Sequence, residues 1–168
     1  MAILKVARLG HPILRRAARP VPPEEIRTAT IQRLVDDMIE TMREYDGAGL
    51  AAPQVHEPWQ IAAIEVQANP RYPQAPEIPL MVLVNPEVES LTAELIEAWE
   101  GCLSVDNLRG KVRRPAAVAV RYLDRYGDAK EFEFEGFPAV VVQHETDHLI
   151  GKLFIDRMTD LATLTQMK

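Results

Sequence analysis

The chain has 168 residues and a formal net charge of −6, with 47% hydrophobic and 26% charged residues. These values predict one globular domain over residues 1–168 that buries its own core, and they exclude a disordered or low-complexity protein. The acidic balance argues against a dedicated nucleic-acid-binding surface. The basic stretches at 15–16 and 109–114 could still form a local patch, but they are interpreted as solvent-facing.

The sequence gives no sign of export or of a membrane anchor. The N-terminal segment has no apolar stretch followed by a cleavage site, and no apolar run approaches the length of a membrane span. Cys102 is the only cysteine, so an internal disulfide is excluded, which fits a reducing compartment. We therefore expect a cytoplasmic protein without membrane association.

The first predicted element is a helix over 28–45. Ile31, Val35, Met38 and Met42 recur there at spacings of three and four residues, which places one apolar stripe on a helix. A glycine-containing turn at the end of this segment predicts where the helix stops.

The middle of the chain has the pattern of antiparallel strands. Short apolar or alternating segments are separated by turn-forming residues, and 67–79 contains four prolines, which predicts a loop. The predicted strands are 60–66, 80–84, 95–99, 116–123 and 130–135, with the last two joined as a hairpin by the turn at 124–128.

From residue 137 the pattern changes to that of a second helix, ending at Gly151. Val140, Val141, His144 and His148 share one face of it. We therefore predict an α+β fold, with antiparallel β-sheets packed around a central helix that bears the histidines and with an N-terminal helix.

The histidines belong to the pentapeptide His-Glu-Thr-Asp-His at 144–148. Residues four apart on a helix project from one face, so His144 and His148 can bind one cation while Glu145 stands beside it as a proton acceptor. A zinc-class ion held this way lowers the pKa of a water bound to it, which permits hydrolysis of an amide. The alternative is a pair of histidines packed in the core.

The third ligand is not in the usual downstream positions. Phe154 stands where the longer zinc-protease pattern has its third histidine, and no glutamate follows His148. Cys102 would complete a Cys-His-His site with an open fourth position, which suits zinc, iron, cobalt or nickel. A plain buried thiol is the alternative for this cysteine.

Three stretches together resemble the peptide deformylase family. They are GAGLAAPQ at 47–54, EGCLS at 100–104 and QHETDH at 143–148, in the order and spacing of that family. VNPE at 84–87 and LIGKLF at 149–154 are also similar to it. The resemblance implies an enzyme that removes the formyl group from the N-formylmethionine of newly made peptides and releases formate.

The resemblance also implies a set of catalytic roles. Ferrous iron is the expected working metal, with zinc, nickel or cobalt as substitutes. Glu145 would be the general base that later protonates the departing amine. The side-chain amide of Gln54 and the backbone N–H of Leu103 would stabilise the oxyanion. Without the resemblance, Gln54 would be interpreted as a turn residue.

Gly49 and Gly101 are candidates for substrate binding, which the resemblance supports, and the resemblance also implies an apolar pocket for the methionine side chain. The two glycines would let an extended peptide approach as an added strand. Phe137, Val140 and Val141 would form the pocket for the methionine side chain, with ordinary core packing as the alternative.

Three charged residues are candidates for bracing the site. Asp147, between the histidines, can orient an imidazole or an arginine, although an exposed helix acid is the alternative. Glu100 and Arg109 could form a charged pair that fixes the geometry of the segment at 100–104, called the cysteine loop.

The sequence departs from the family pattern at two places. Asp106 and Asn107 stand where the family commonly has proline followed by glycine or glutamate, which puts substrate preference in doubt. The segment at 159–167 is too short for the long final helix that some members use at the ribosome, so ribosome docking has no support. The rival hypotheses are a metal-binding relative without turnover and a zinc endopeptidase.

Overall fold

The computed structural model describes residues 1–67, 73 and 76–167. The helices are α1 (Ala29–Glu44), α2 (Phe137–His148) and α3 (Phe154–Arg157). The strands are β1 (Gly49–Ala51), β2 (Ile61–Val66), β3 (Ile78–Ser90), β4 (Leu95–Cys102), β5 (Val105–Pro115), β6 (Ala117–Leu123), β7 (Ala129–Glu135) and β8 (Thr165–Gln166). No helix in this described part of the chain combines the length and the apolar character that crossing a membrane requires.

The strands form two antiparallel sheets. The larger sheet has the strand order β1-β2-β3-β6-β7, and the smaller has the order β4-β5-β8. The predicted α+β fold with antiparallel sheets is therefore confirmed. Strands β1 and β4 are each the terminal strand of their sheet.

Helix α1 covers one face of the larger sheet. Its start is fixed by the Thr28 side chain, which accepts a hydrogen bond from the backbone N–H of Ile31. Val35, Met38 and Met42 are almost fully buried and belong to one core cluster with side chains of β1, β2 and β3. The spacing of these residues explains both the helix and its buried face.

Helix α2 covers the opposite face of the same sheet. Ala139 and Val142 are fully buried and pack in one cluster with Ile64 of β2 and Val120 of β6. Because both faces of β2 are covered, all six of its residues are buried. The pentapeptide at 144–148 therefore lies on a helix that is held against the centre of the domain.

Most predicted elements lie within a residue or two of the observed ones, but β3 is much longer than the predicted strand at 80–84. Asn85 has a φ of +51°, and the register between β3 and its neighbour shifts between Val84 and Glu87. This bulge lets the strand continue beyond Asn85 and Pro86, which had suggested a stop.

Strands β1, β5 and β8 were not predicted. Strand β1 has three residues and β8 has two, too few for a clear alternation. Strand β5 was hidden by its charges, because the basic stretch at 109–114 lies in it.

Two further predicted segments differ from the observed elements. The loop predicted for 67–79 lies largely outside the described residues, and its last two positions, Ile78 and Pro79, belong to β3. The segment at 159–167 forms a turn of 3-10 helix at Leu161–Thr163 followed by β8, which pairs with β5.

Gly151, just after α2, is required by both its conformation and its surroundings. Its φ is +74°, and a Cβ there would lie 2.6 Å from the carbonyl oxygen of Arg15. We expect Gly151→Ala to lower the free energy of unfolding by roughly 3 kcal/mol, since it adds a backbone clash to the cost of a left-handed residue. Urea denaturation measures this.

Gly127→Ala is the matched control. Gly127 has a similar φ of +82°, but a Cβ there would meet only Ile26 at an ordinary 3.9 Å. We expect a loss of about 1–2 kcal/mol, the cost of the backbone conformation alone. Equal losses in the two variants would show that the Arg15 contact is not what requires glycine at 151.

Candidate active site

A cleft opens where β1 begins, β4 ends and α2 passes between them. Its lining residues are Gly47, Ala48, Gly49, Gln54, Trp99, Glu100, Gly101, Cys102, Leu103, Phe137, Val140, Val141, His144 and Glu145. The five predicted substrate-binding residues are all among them. The fold thus brings together the three stretches of sequence on which the family resemblance rests.

Cys102, His144 and His148 converge beside this cleft. One ligand atom from each lies within 4.8 Å of the other two, and Sγ of Cys102 is 3.4 Å from Nε2 of His148. Helix α2 supplies both histidines and β4 supplies the cysteine, and all three are buried. A thiolate with two imidazoles is a donor set for a divalent transition metal, so these residues fit a metal ion.

The charges of the cluster favour a thiolate. Burial acts to raise the pKa of the Cys102 thiol, but the nearby His148 and His144 outweigh it and hold that pKa well below its usual value. Burial likewise acts to lower the pKa of His144, whereas hydrogen bonds with Cys102 and Glu100 raise it well above its usual value. The thiolate is the form of cysteine that binds metals.

Glu100 fixes the ring of His144. Nδ1 of His144 lies 2.8 Å from the Glu100 carboxylate, which leaves Nε2 of this ring for a metal. Arg114 donates to both oxygens of the same carboxylate over 2.7 and 2.9 Å. This two-point contact holds the carboxylate, and through it the imidazole, in one orientation.

Asp147 extends this network behind the helix. It accepts a hydrogen bond of 2.9 Å from Nη1 of Arg114 and bonds of 3.1 and 2.7 Å from Arg157. Asp147 is buried, so it is not the exposed helix acid of the alternative interpretation. It orients two arginines rather than an imidazole.

The expected pairing of Glu100 with Arg109 is wrong, because Arg114 occupies that carboxylate. The Arg109 guanidinium lies instead 4.9 Å from the centre of the Trp99 ring. Successive residues of a strand point to opposite faces, so Arg114 shares the buried face of β5 with Val112 while Arg109 lies on the other face. Arg114 was missed because, apart from Arg109, the basic residues of this stretch were interpreted as solvent-facing.

Glu145 is buried next to the two histidines. Its Oε2 has no hydrogen-bond partner among the described residues, and burial raises the pKa of its carboxyl. A Cβ at Gly49 would lie 2.5 Å from Cγ of Glu145. The glycine of β1 is therefore what makes room for this carboxylate in the cleft.

Gln54 directs its side-chain amide toward the metal-ligand cluster. Its Oε1 accepts a 2.9 Å hydrogen bond from the backbone of Ala51, and its Nε2 lies 3.4 Å from Sγ of Cys102 and 3.2 Å from Oγ of Ser104. Because of these contacts, Gln54 is not only a turn residue. Ser104, which sequence reasoning missed, stands in the same EGCLS stretch as the cysteine.

The two residues that depart from the family pattern have clear structural places. Asp106 forms an ion pair of 3.0 Å with Arg8. Asn107 has a φ of +55°, a left-handed conformation that asparagine tolerates better than most residues. An effect of these residues on substrate preference stays a prediction.

Comparison with known proteins identifies relatives over almost the whole chain. The model of the family described as polypeptide deformylase matches residues 3–163. Peptide deformylase 2 from a Nostoc species is 44% identical over 98% of this chain and 91% of its own length. Peptide deformylase 2 from Bordetella bronchiseptica is 47% identical over 95% of this chain and 88% of its own length.

A solved structure is similar in fold as well as in sequence. It is the Met-Ala-Ser-bound class I type b peptide deformylase from Acinetobacter baumannii, with a TM-score of 0.90 and 44% identity. The match covers 94% of this chain and 99% of that one.

The Glu100 network makes the stability of the metal-free protein depend on pH. Burial acts to raise the pKa of Glu100, but hydrogen bonds from His144 and Arg114 outweigh it and lower that pKa from 4.5 to about 2. The resulting stability is complete above the unfolded pKa and is lost as the pH falls through the folded one. We expect protonation of Glu100 to lower the free energy of unfolding by about 3 kcal/mol between pH ~5 and pH ~2, as measured by urea denaturation.

Glu100→Gln should show a shallower loss over the same window. Asp147 remains in that variant, and since Arg157 and Arg114 lower the pKa of its carboxyl against the effect of burial, part of the slope should persist. His144, with its raised pKa, stays protonated throughout this acid window and adds no slope there. An unchanged slope in Glu100→Gln would contradict the assignment.

Proposed function

Because the chain belongs to the polypeptide deformylase family, we propose that it removes the formyl group from the N-formylmethionine of newly made polypeptides and releases formate. It is an enzyme of a family of hydrolases that act in protein biosynthesis. The observation that carries the proposal is the Cys102, His144 and His148 cluster with Glu145 beside it, in a cleft between two sheet edges.

The cluster would hold one divalent metal ion through Cys102, His144 and His148. We propose ferrous iron as the working ion, with zinc, nickel or cobalt as substitutes that the same donors accept. When bound, such an ion would polarise the formyl carbonyl and lower the pKa of water. Glu100 would hold the His144 ring in place for the metal, and Asp147 would hold Arg114, which in turn contacts Glu100.

Glu145 would move the protons of the reaction. As general base it takes a proton from the attacking water, and as general acid it delivers a proton to the departing amine. Burial is the main cause of the raised pKa of the Glu145 carboxyl. A carboxyl with a pKa nearer to neutral pH can both accept and release a proton more readily during the reaction. Oε2 of Glu145 needs no internal bond to be broken before it accepts the proton.

Gln54 and Leu103 would stabilise the negative charge that develops on the formyl oxygen. The Gln54 amide already points toward Cys102, and Leu103 follows the cysteine directly in the chain. Both line the cleft, so the side-chain N–H of one and the backbone N–H of the other can reach a bound carbonyl.

The substrate would bind as an extended chain. Strands β1 and β4 are terminal strands of separate sheets, and residues of both line the cleft. A peptide laid between them can pair with backbone at Gly49 and at Gly101, where no side chain stands in the way. The relative from Acinetobacter baumannii, solved with Met-Ala-Ser, binds a peptide of the kind that such a reaction leaves.

Phe137, Val140 and Val141 would bind the methionine side chain. All three line the cleft on the side of α2, and apolar walls of this kind suit a flexible thioether. Val141 also belongs to the core cluster of the larger sheet, with Phe137 packed against it, so pocket and core share these side chains.

We propose that residues 1–168 form one catalytic domain, because the family model spans 3–163.

The proposed partners of the enzyme are nascent N-formylmethionyl chains, so the reaction takes place in the cytoplasm where translation produces them. We assign no surface to ribosome docking.

The proposed function is tested by formate release. Protein purified anaerobically with ferrous iron should release formate from formyl-Met-Ala-Ser and not from acetyl-Met-Ala-Ser, with lower turnover when loaded with zinc. Metal-saturated protein that binds the peptide but releases no formate would support a binding module without turnover. Cleavage of an internal peptide bond would support an endopeptidase.

Glu145→Gln should keep the metal and lose turnover. Removing the group that accepts and delivers protons is expected to lower kcat by about 10²–10⁴-fold with little change in bound metal. Glu44→Gln, at an exposed carboxylate of α1, should keep wild-type kcat. Near-normal turnover in Glu145→Gln would show that another group acts as the base.

Gly49→Ala should act through Glu145. The added methyl group would overlap the Glu145 side chain and displace it, so kcat should fall by about 10²-fold while the Cys102 ligand set still binds metal. Gly127→Ala, in the hairpin turn between β6 and β7, serves as the control for a glycine substitution outside the cleft. Unchanged kcat in Gly49→Ala would show that Glu145 can act without the space that Gly49 leaves for its side chain.

A further inference from the structure

A short N-terminal segment connects the two parts of the chain that carry the proposed oxyanion donors. We define residues 6–9 as the N-terminal strap. Its Ala7 N–H donates a 2.7 Å hydrogen bond to the carbonyl of Gln54, and its Leu9 N–H donates a 2.7 Å bond to the carbonyl of Ser104. The strap therefore fixes the backbone at Gln54 and the backbone just after Leu103 relative to each other.

Arg8, between these two bonds, is the strap residue whose side chain reaches the cysteine loop. Its Nη1 donates a 3.1 Å hydrogen bond to the carbonyl of Leu103 and lies 3.0 Å from Oδ1 of Asp106. Together with the two backbone bonds, this gives three contacts from three consecutive residues to Gln54, Leu103 and Ser104.

The side of the cysteine loop that Arg8 contacts is open to solvent. A second cleft lies there, lined by Arg8, Tyr45 and Asp106 as well as by Leu103 itself. Both members of the ion pair are more than half exposed, and exposed ion pairs contribute little to global stability. What the pair can do is restrict the local orientation of the backbone at Leu103.

We propose that Arg8, held in place by Asp106, is a positioning residue for the hydrolysis. Its hydrogen bond holds the peptide unit that contains the Leu103 carbonyl and so restricts rotation about the Leu103 backbone. The Leu103 N–H, on the preceding peptide unit, would then keep one direction relative to the formyl oxygen. Oxyanion donors act through a fixed direction, and a small misplacement costs rate without removing the donor. The inference rests on the proposed deformylation and on the donor role of Leu103.

Arg8→Ala tests the proposal. With formyl-Met-Ala-Ser as substrate, we expect kcat to fall about tenfold while KM stays within about twofold, because the donor acts on the charge that develops in the transition state. Bound iron and the melting temperature should match those of the wild type. A change confined to KM, or a kcat within about twofold of wild type, would overturn the proposal.

Variants of the pair separate positioning from a general structural effect. Arg8→Lys should recover part of the lost kcat, since an ammonium can still reach the Leu103 carbonyl. Asp106→Ala should lower kcat less than Arg8→Ala, and the double variant should be no slower than Arg8→Ala alone, because Asp106 acts through Arg8. Additive losses in the double variant would contradict this order.

Arg27→Ala is the matched control. Arg27 is also an exposed arginine that donates to a distant backbone carbonyl, that of Tyr126, and pairs with a nearby carboxylate, that of Asp128. It should keep wild-type kcat, and an equal loss there would overturn the proposal. If the wild-type enzyme releases no formate, the deformylase assignment fails; if it does and Arg8→Ala is unaffected, only the role of Arg8 fails.

Discussion

The Arg114 guanidinium is buried between two carboxylates that come from different layers of the domain. Glu100 is on β4 and Asp147 is on α2, and both contact Arg114 at hydrogen-bonding distance. A buried charge must be neutralised by close partners, so the strand and the helix can pack only where these pairs form. Since Glu100 stands two residues before Cys102 and Asp147 stands between the histidines, the same constraint sets the distance between the proposed metal ligands.

The rest of the domain holds this arrangement from outside. Helix α2 packs against the larger sheet through its apolar residues, while its His144 and Asp147 contact Glu100 and Arg114 of the smaller sheet. Strand β1 comes close enough to touch Glu145 because Gly49 has no side chain. The site is thus formed where two sheets and a helix meet, and each contributes residues that the others could not supply.

The sequence alone predicted the features that depend on residues close together in the chain. The periodicity of α1, the strand-like stretches and the two histidines four residues apart all reflect local geometry, and the structure agrees with them. The partner of Glu100 depends on which residues of β5 face inward, and a run containing Arg109 and Arg114 hides that alternation. The contact of Arg8 with the cysteine loop joins residues far apart in the chain, for which no local pattern exists.

The proposed binding of the substrate between two sheet edges would also restrict when a substrate can be processed. If the peptide must lie extended between β1 and β4, a chain end already wound into a helix or paired within its own domain cannot enter. The reaction then competes in time with folding of the substrate. Selection of young chains would follow from the shape of the entrance, without any need to recognise a later sequence in the substrate.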